Sequence, residues 1–183
     1  LMLDAFRVIP AQAAAIPGSA ADPGLLPTLA VWTPVPGDAS AAENFIAAAR
    51  RLEDGHRYDE ALRAYRQAMA ADPNRASPHS ASAYIYLKQG RPQEAYLETL
   101  EALAREPDMP THWMRLGDVY SAMDDGERAL AAYERALSFN PSSSPVLLRK
   151  GDLLWKLGRE EEARSAWRPA CDGGTQAACR RVE

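Results

Sequence analysis

Cys171 and Cys179 are the chain's only thiols, so any covalent cross-link must join them. Gly173 and Gly174 lie between them. A helix ending at those glycines and a short one resuming at Thr175 would fold back and bring the sulfurs together, whereas the plainer reading is two small buried thiols. A metal site is excluded because no third or fourth ligand stands nearby in the sequence. His56, His79 and His112 have no carboxylate, cysteine or serine at a catalytic spacing, which makes them surface or packing residues. Asp124 and Asp125 precede Gly126, but a calcium loop needs several more oxygen ligands in fixed order. Glu160, Glu161 and Glu162 suit the first turn of a helix, where negative charge complements the backbone dipole. No acid, base or nucleophile constellation assembles, so we expect a protein that is not an enzyme and takes no cofactor.

The elements that carry these residues follow from a period. Pro73, Pro107 and Pro141 stand 34 residues apart. The same step aligns Ala61, Ala95, Ala129 and Ala163 in one column and Ala68, Ala102, Ala136 and Ala170 in a second, with Ala49, Ala83, Gly117 and Gly151 in a third. Small side chains are needed where two helices approach within ~8–10 Å. Large groups fill the spaces between: Phe45 and Trp113, then Leu52, Tyr86, Tyr120 and Leu154, then Tyr65, Tyr133 and Trp167. A repeat of this length is one helix hairpin, which buries its apolar face only against neighbouring copies. Function is therefore sought on surfaces rather than in a catalytic pocket.

The best copy reads Trp113, Leu116, Gly117, Tyr120, Ala129, Tyr133, Ala136, Pro141. This resembles the tetratricopeptide repeat family, over about residues 42–175. The resemblance implies an all-α, right-handed superhelix of about four stacked hairpins (42–75, 76–109, 110–143 and 144–175) with a short cap over 175–183. The second copy has His79, Ser82 and Thr99 where the family prefers aromatic or leucine, predicting weaker local packing. The fourth carries Pro169 within its second helix, where the ring and missing N–H disturb a turn. In the family the first helices line a concave groove. The matching positions, taken as partner-binding residues, are Ile46, Arg50, Tyr84, Leu87, Met114, Arg115, Asp118, Leu148, Arg149, Asp152 and Trp155. Some members grip a peptide's terminal carboxylate with a basic and amide clamp; the matching positions here are Ile46, Arg50, Ala81, Thr111 and Arg115, and only Arg115 fits. A ligand of mixed apolar and charged character is the better candidate.

The Ala-Cys, glycine turn, Ala-Cys order is similar to the cysteine-stapled hairpins of Sel1-like repeat proteins. That likeness implies a disulfide between Cys171 and Cys179, which favours a periplasmic or extracellular location.

Residues 1–40 are a different kind of chain. Pro10, Pro17, Pro23, Pro27, Pro34 and Pro36 forbid a long helix, while Leu25, Leu26, Leu29, Val31 and Trp32 are too apolar for a plain linker. An arm of this kind must recover its chain entropy from contacts. It either straps its own repeats or docks on a partner subunit with Trp32 as anchor. The absence of an initial Met is read as processing or truncation, and the start resembles neither an intact signal peptide nor a lipid-anchor cysteine.

Charge narrows the partners. The net charge is −4, without the concentrated basic face that nucleic acid binding requires. The basic excess around Arg149, Lys150, Lys156, Arg180 and Arg181 is read as a solvated end. No run approaches the ~18 apolar residues of a membrane span. Two classes of function remain: a scaffold or accessory subunit of a larger protein assembly, docking through the arm and repeat surfaces, or a peptide-binding adaptor using the groove in assembly of a secreted or envelope complex.

Overall fold

The computed structural model describes residues 24–182. Its elements run α1 (Ala39–Asp54), α2 (Tyr58–Ala71), α3 (Ser77–Lys88), α4 (Pro92–Arg105), α5 (Pro110–Ala122), α6 (Gly126–Phe139), α7 (Ser144–Lys156), α8 (Glu160–Asp172) and α9 (Gln176–Val182), with no strand among the described residues. Four antiparallel hairpins, α1–α2 to α7–α8, stack into a right-handed superhelix, and α9 packs against α8. Prolines open α3, α4, α5 and α7, where the first turn has no use for their missing N–H. Asp38 and Asp125 cap α1 and α6 by accepting from the amides of Ala41 and Arg128.

Each turn within a hairpin needs one residue in the left-handed region. His56, Gly90, Asp124 and Gly158 supply it, with φ of 56°, 69°, 59° and 76°, and they lie 34 residues apart. Glycine adopts this conformation freely, and aspartate or histidine more readily than most side chains.

The alanine columns are fully buried between helices. Gly117 lies under the Tyr133 ring and Gly151 under the Trp167 indole, each so close that an added methyl group would strike the ring. In the second copy Thr99, also buried, satisfies itself by donating to the Ala95 carbonyl at 2.7 Å, and the half-buried pair His79–Glu98 closes at 2.8 Å. The Ser82 hydroxyl has no partner there, in keeping with the expected weaker packing. Pro169 does not break its helix. It sits on the solvent-facing side of α8, which continues to Asp172. Cys171 and Cys179 are joined, with Cα atoms 4.6 Å apart, and tie α9 back to α8.

Of the arm, residues 24–38 are described, and they strap the chain's own repeats; the part of the arm over residues 1–23 lies outside the described residues. The Arg105 guanidinium lies 3.8 Å from the Trp32 ring centre, and the indole N–H donates to Asn74 Oδ1 at 3.3 Å. Asn74 also grips the backbone of Val35 from both sides, accepting from its N–H at 2.9 Å and donating to its carbonyl at 2.6 Å. Leu26 and Leu29 pack on the core cluster around Trp113. Gly37 passes so close to Asp72 that a side chain there would meet its Cα at 2.9 Å. Trp32, expected as an anchor on a partner, is thus used within its own chain. Leu25 is half-buried, and Val31, 78% exposed, stays open to solvent.

Replacing Trp32 removes a cation–π contact, a hydrogen bond and buried ring area, about 1–3 kcal/mol in all. Trp32→Ala is expected to speed limited proteolysis around residues 24–36 while the helical circular dichroism of the repeats persists. An unchanged cleavage rate would mean the strap is held elsewhere.

Candidate functional site

The first helices α1, α3, α5 and α7 line the concave face, and their side chains form a ladder that crosses from copy to copy. It begins in the core. In three of the four hairpins an aromatic ring of the second helix reaches through to hold a first-helix carboxylate: Tyr65 donates to Glu53 at 2.8 Å, Tyr133 to Asp118 at 2.8 Å and Trp167 to Asp152 at 3.1 Å. From Asp118 the ladder continues sideways. Arg115 reaches it from one turn earlier at 3.3 Å, and Arg149 from the next copy at 3.0 Å. Arg181 of α9 repeats that second contact, meeting Asp152 at 2.7 Å. The second copy offers Thr99 instead of an aromatic ring with a polar head, and there Tyr84 takes the carboxylate's place in the column. Arg115 rests against the Tyr84 ring at 4.8 Å.

Burial sets the electrostatics. The Asp118 side chain is only 9% exposed. Loss of water pushes its carboxyl above the usual range, against the pull of Arg149, the Tyr133 hydrogen bond and Arg115. The same burial pushes the Arg115 guanidinium down, opposed by Asp118. The Tyr133 hydroxyl is pushed up by burial and by the neighbouring Asp118 charge, so it keeps its proton and stays a donor. Burial also lowers His112, which shares a hydrogen with Glu106 at 3.2 Å and leaves its Nδ1 without a partner.

Two pockets meet at Tyr84 and Arg115. One, about 570 Å³, extends over the starts of α3 and α5 and includes Glu53, Glu106 and Thr111. The other, about 480 Å³, extends toward the ends of α3, α5 and α7 and includes Leu87, Lys88, Asp118, Arg149, Asp152 and Lys156. Of the residues expected in the groove, Tyr84, Leu87, Arg115, Asp118, Arg149 and Asp152 are brought together. Ile46 is not among them: it is 2% exposed and belongs to the α1–α2 core, because its helix turns that face toward Tyr65 and Ile85. Met114 and Leu148 pack half-buried against the core. Arg50 is exposed outside both pockets, and Trp155, 48% exposed, leans on Trp167 at 5.8 Å.

Sequence reading missed Glu53, Glu106, Lys88 and Lys156. Column arithmetic offered a signal for the last two, since Lys88, Ala122 and Lys156 form a 34-residue column next to that of Leu87, Ser121 and Trp155. The basic excess read as a solvated end is mostly paired: Lys150 with Glu134 at 3.1 Å, Lys156 with Asp124 at 2.7 Å, and Arg149 and Arg181 as above. Among the described residues no three His, Cys, Asp or Glu side chains gather as a metal site, and no helix is long and apolar enough to cross a membrane.

Family models described as tetratricopeptide repeat match residues 52–116, and 96–144 with 114–170. Tetratricopeptide repeat protein 21B of Mus musculus is 28% identical over 118 residues, which is 64% of this chain and 9% of that protein. The chain thus spans a small fraction of that relative. The solved structure of Pseudomonas aeruginosa pilF is 28% identical with a TM-score of 0.66, covering 74% of this chain and 62% of that one. The first such repeat domain of Spaghetti (RPAP3), solved bound to an HSP90 peptide, has a TM-score of 0.63 at 22% identity, covering 67% and 97%.

Removing Asp118 would strand the buried Arg115 guanidinium and the buried Tyr133 hydroxyl and release the exposed Arg149. Asp118→Ala is expected to cost about 2–4 kcal/mol in urea unfolding. A loss no larger than that of an exposed pair such as Arg159–Glu162, about 0–1 kcal/mol, would show that the ladder does not hold the groove.

Proposed function

The chain belongs to the tetratricopeptide repeat family, and from that premise we propose that it is a non-catalytic protein-interaction module whose concave face captures an extended segment of a protein partner. The observation that carries this reading is the groove itself. Tyr84 and Leu87 offer apolar area between charged groups, and Lys88 has no carboxylate within ion-pair distance among the described residues. Unanswered charge beside partly exposed aromatic surface is what a partner segment neutralises and buries. A relative of the same fold holds an HSP90 peptide, but at 22% identity that likeness extends to the fold alone, so the ligand class rests on this chain's own side chains.

The arm bears on the choice between scaffold and adaptor. With Trp32 engaged by Asn74 and Arg105, the arm's largest apolar side chain is already used within the chain, which favours the adaptor reading, in which the groove recruits a component during assembly of a complex. A photo-reactive residue at Leu87 is expected to cross-link to partner protein in native extract, while one at Leu97, 63% exposed on α4, is not. Equal labelling from both sites would move the interface off the groove.

The bridge between Cys171 and Cys179 supports an oxidising location, periplasmic or extracellular. Protein isolated without reductant is expected to show no alkylatable thiol by mass spectrometry. Two labelled cysteines would count against that location. A loop this short contributes at most about 2–3 kcal/mol, felt mainly in α9.

A further inference from the structure

The groove has an electrical polarity that the fold alone does not require. The pocket over the starts of α3 and α5 is lined by the carboxylates of Glu53 and Glu106, with Arg115 its one lysine or arginine. Neither glutamate has a lysine or arginine within ion-pair distance among the described residues; Glu53 accepts from Tyr65 and Glu106 from His112. The pocket toward the helix ends is lined by four cations, Lys88, Arg115, Arg149 and Lys156, against Asp118 and Asp152. Two of these six are answered from outside the pocket, Lys156 by Asp124 and Asp152 by Arg181. Three cations, Lys88, Arg115 and Arg149, then stand in the pocket against the single carboxylate of Asp118. Lys88 stands 5.2 Å from the Tyr84 ring centre, facing the same space.

Resting on the groove reading above, we propose that the partner segment is an extended peptide with segregated charges. A basic block lies over Glu53 and Glu106, an apolar residue over Tyr84, and an acidic block over Lys88 and Arg149. Because the pockets have opposite sign, a peptide placed the wrong way round meets repulsion at both ends, so the groove selects direction as well as composition. This differs from gripping a terminal carboxylate, since the basic cluster lies toward the helix ends and only Arg115 occupies a position where such a grip would form.

Ten-residue peptides, about 33 Å when extended, are long enough to cross three first helices packed roughly 10 Å apart. Three labelled probes of one composition decide the matter by fluorescence anisotropy at low salt: Lys-Lys-Lys-Gly-Leu-Leu-Gly-Glu-Glu-Glu, its reversal, and a version with lysines and glutamates interleaved. One of the two segregated peptides is expected to bind roughly tenfold tighter than the interleaved one, a preference that fades toward high salt. Lys88→Glu, at an exposed position, should abolish that preference without lowering the melting temperature. Equal binding of the interleaved peptide overturns the polarity and leaves the groove reading standing. Absence of binding, or binding that ignores Tyr84→Ala, overturns both.

Discussion

The stack depends on a close contact between a second-helix side chain and a small residue sixteen positions earlier. Tyr133 covers Gly117 and Trp167 covers Gly151, and the backbone contact is too close for even one methyl group. Tyr65 and Ala49 occupy the same two columns in the first copy, and Thr99 and Ala83 in the second, where the short threonine leaves room for alanine. The pairing sets the distance between the helices of each hairpin, and interiors packed this tightly transmit that distance to the next copy. A solenoid has no other centre, since each copy touches only its neighbours.

The same rings connect core to function. A tyrosine or tryptophan buried by its body must find a partner for its polar tip. Here the tip emerges at the concave face and holds a carboxylate there: Tyr65 at Glu53, Tyr133 at Asp118 and Trp167 at Asp152. Each carboxylate at Asp118 and Asp152 then fixes an arginine from the next copy or the cap. Groove charges are therefore placed by core packing, and their side-chain entropy is spent during folding rather than on binding. Where the core aromatic is absent, at Thr99, no carboxylate is held and Tyr84 fills the gap. The one irregular copy thus supplies the groove's aromatic contact, at the junction where its charge changes sign.

Much of this was legible in the sequence. The 34-residue period located every hairpin, because small and aromatic residues must recur where helices meet, and the glycine turn between Cys171 and Cys179 was read as a fold-back that the bridge matches. Ile46 was misplaced because a first helix presents both a groove face and a core face, and one residue's register decides between them. Pro169 was judged by its ring and missing N–H, whereas an exposed helix face tolerates the lost hydrogen bond. Glu53 and Glu106 do stand at 34-residue steps, Glu53 with Leu87, Ser121 and Trp155 and Glu106 with Asp72 and Asn140, but neither column repeats one residue type, so nothing marked them as groove groups. The strap was left open between two alternatives, since apolar composition says that an arm must dock but not on what.

A repeat stack also exposes edges, and α9 and the arm are held against it with the chemistry used inside. On α9, Arg181 reproduces the contact that Arg149 makes one copy earlier, and the disulfide ties α9 to α8 in the position from which it can. Along the edge where the copies join, Asn74 pairs with the arm's backbone much as a neighbouring chain would, and Arg105 flattens Trp32 against the turn that begins at Pro73. Both devices consume apolar surface and backbone groups that would otherwise invite association. What stays open is the concave face, where tyrosine, leucine and unanswered charge remain together. Specificity in such a molecule resides less in which residues are exposed than in which charged and aromatic groups the packing gathers on one face without mutual neutralisation.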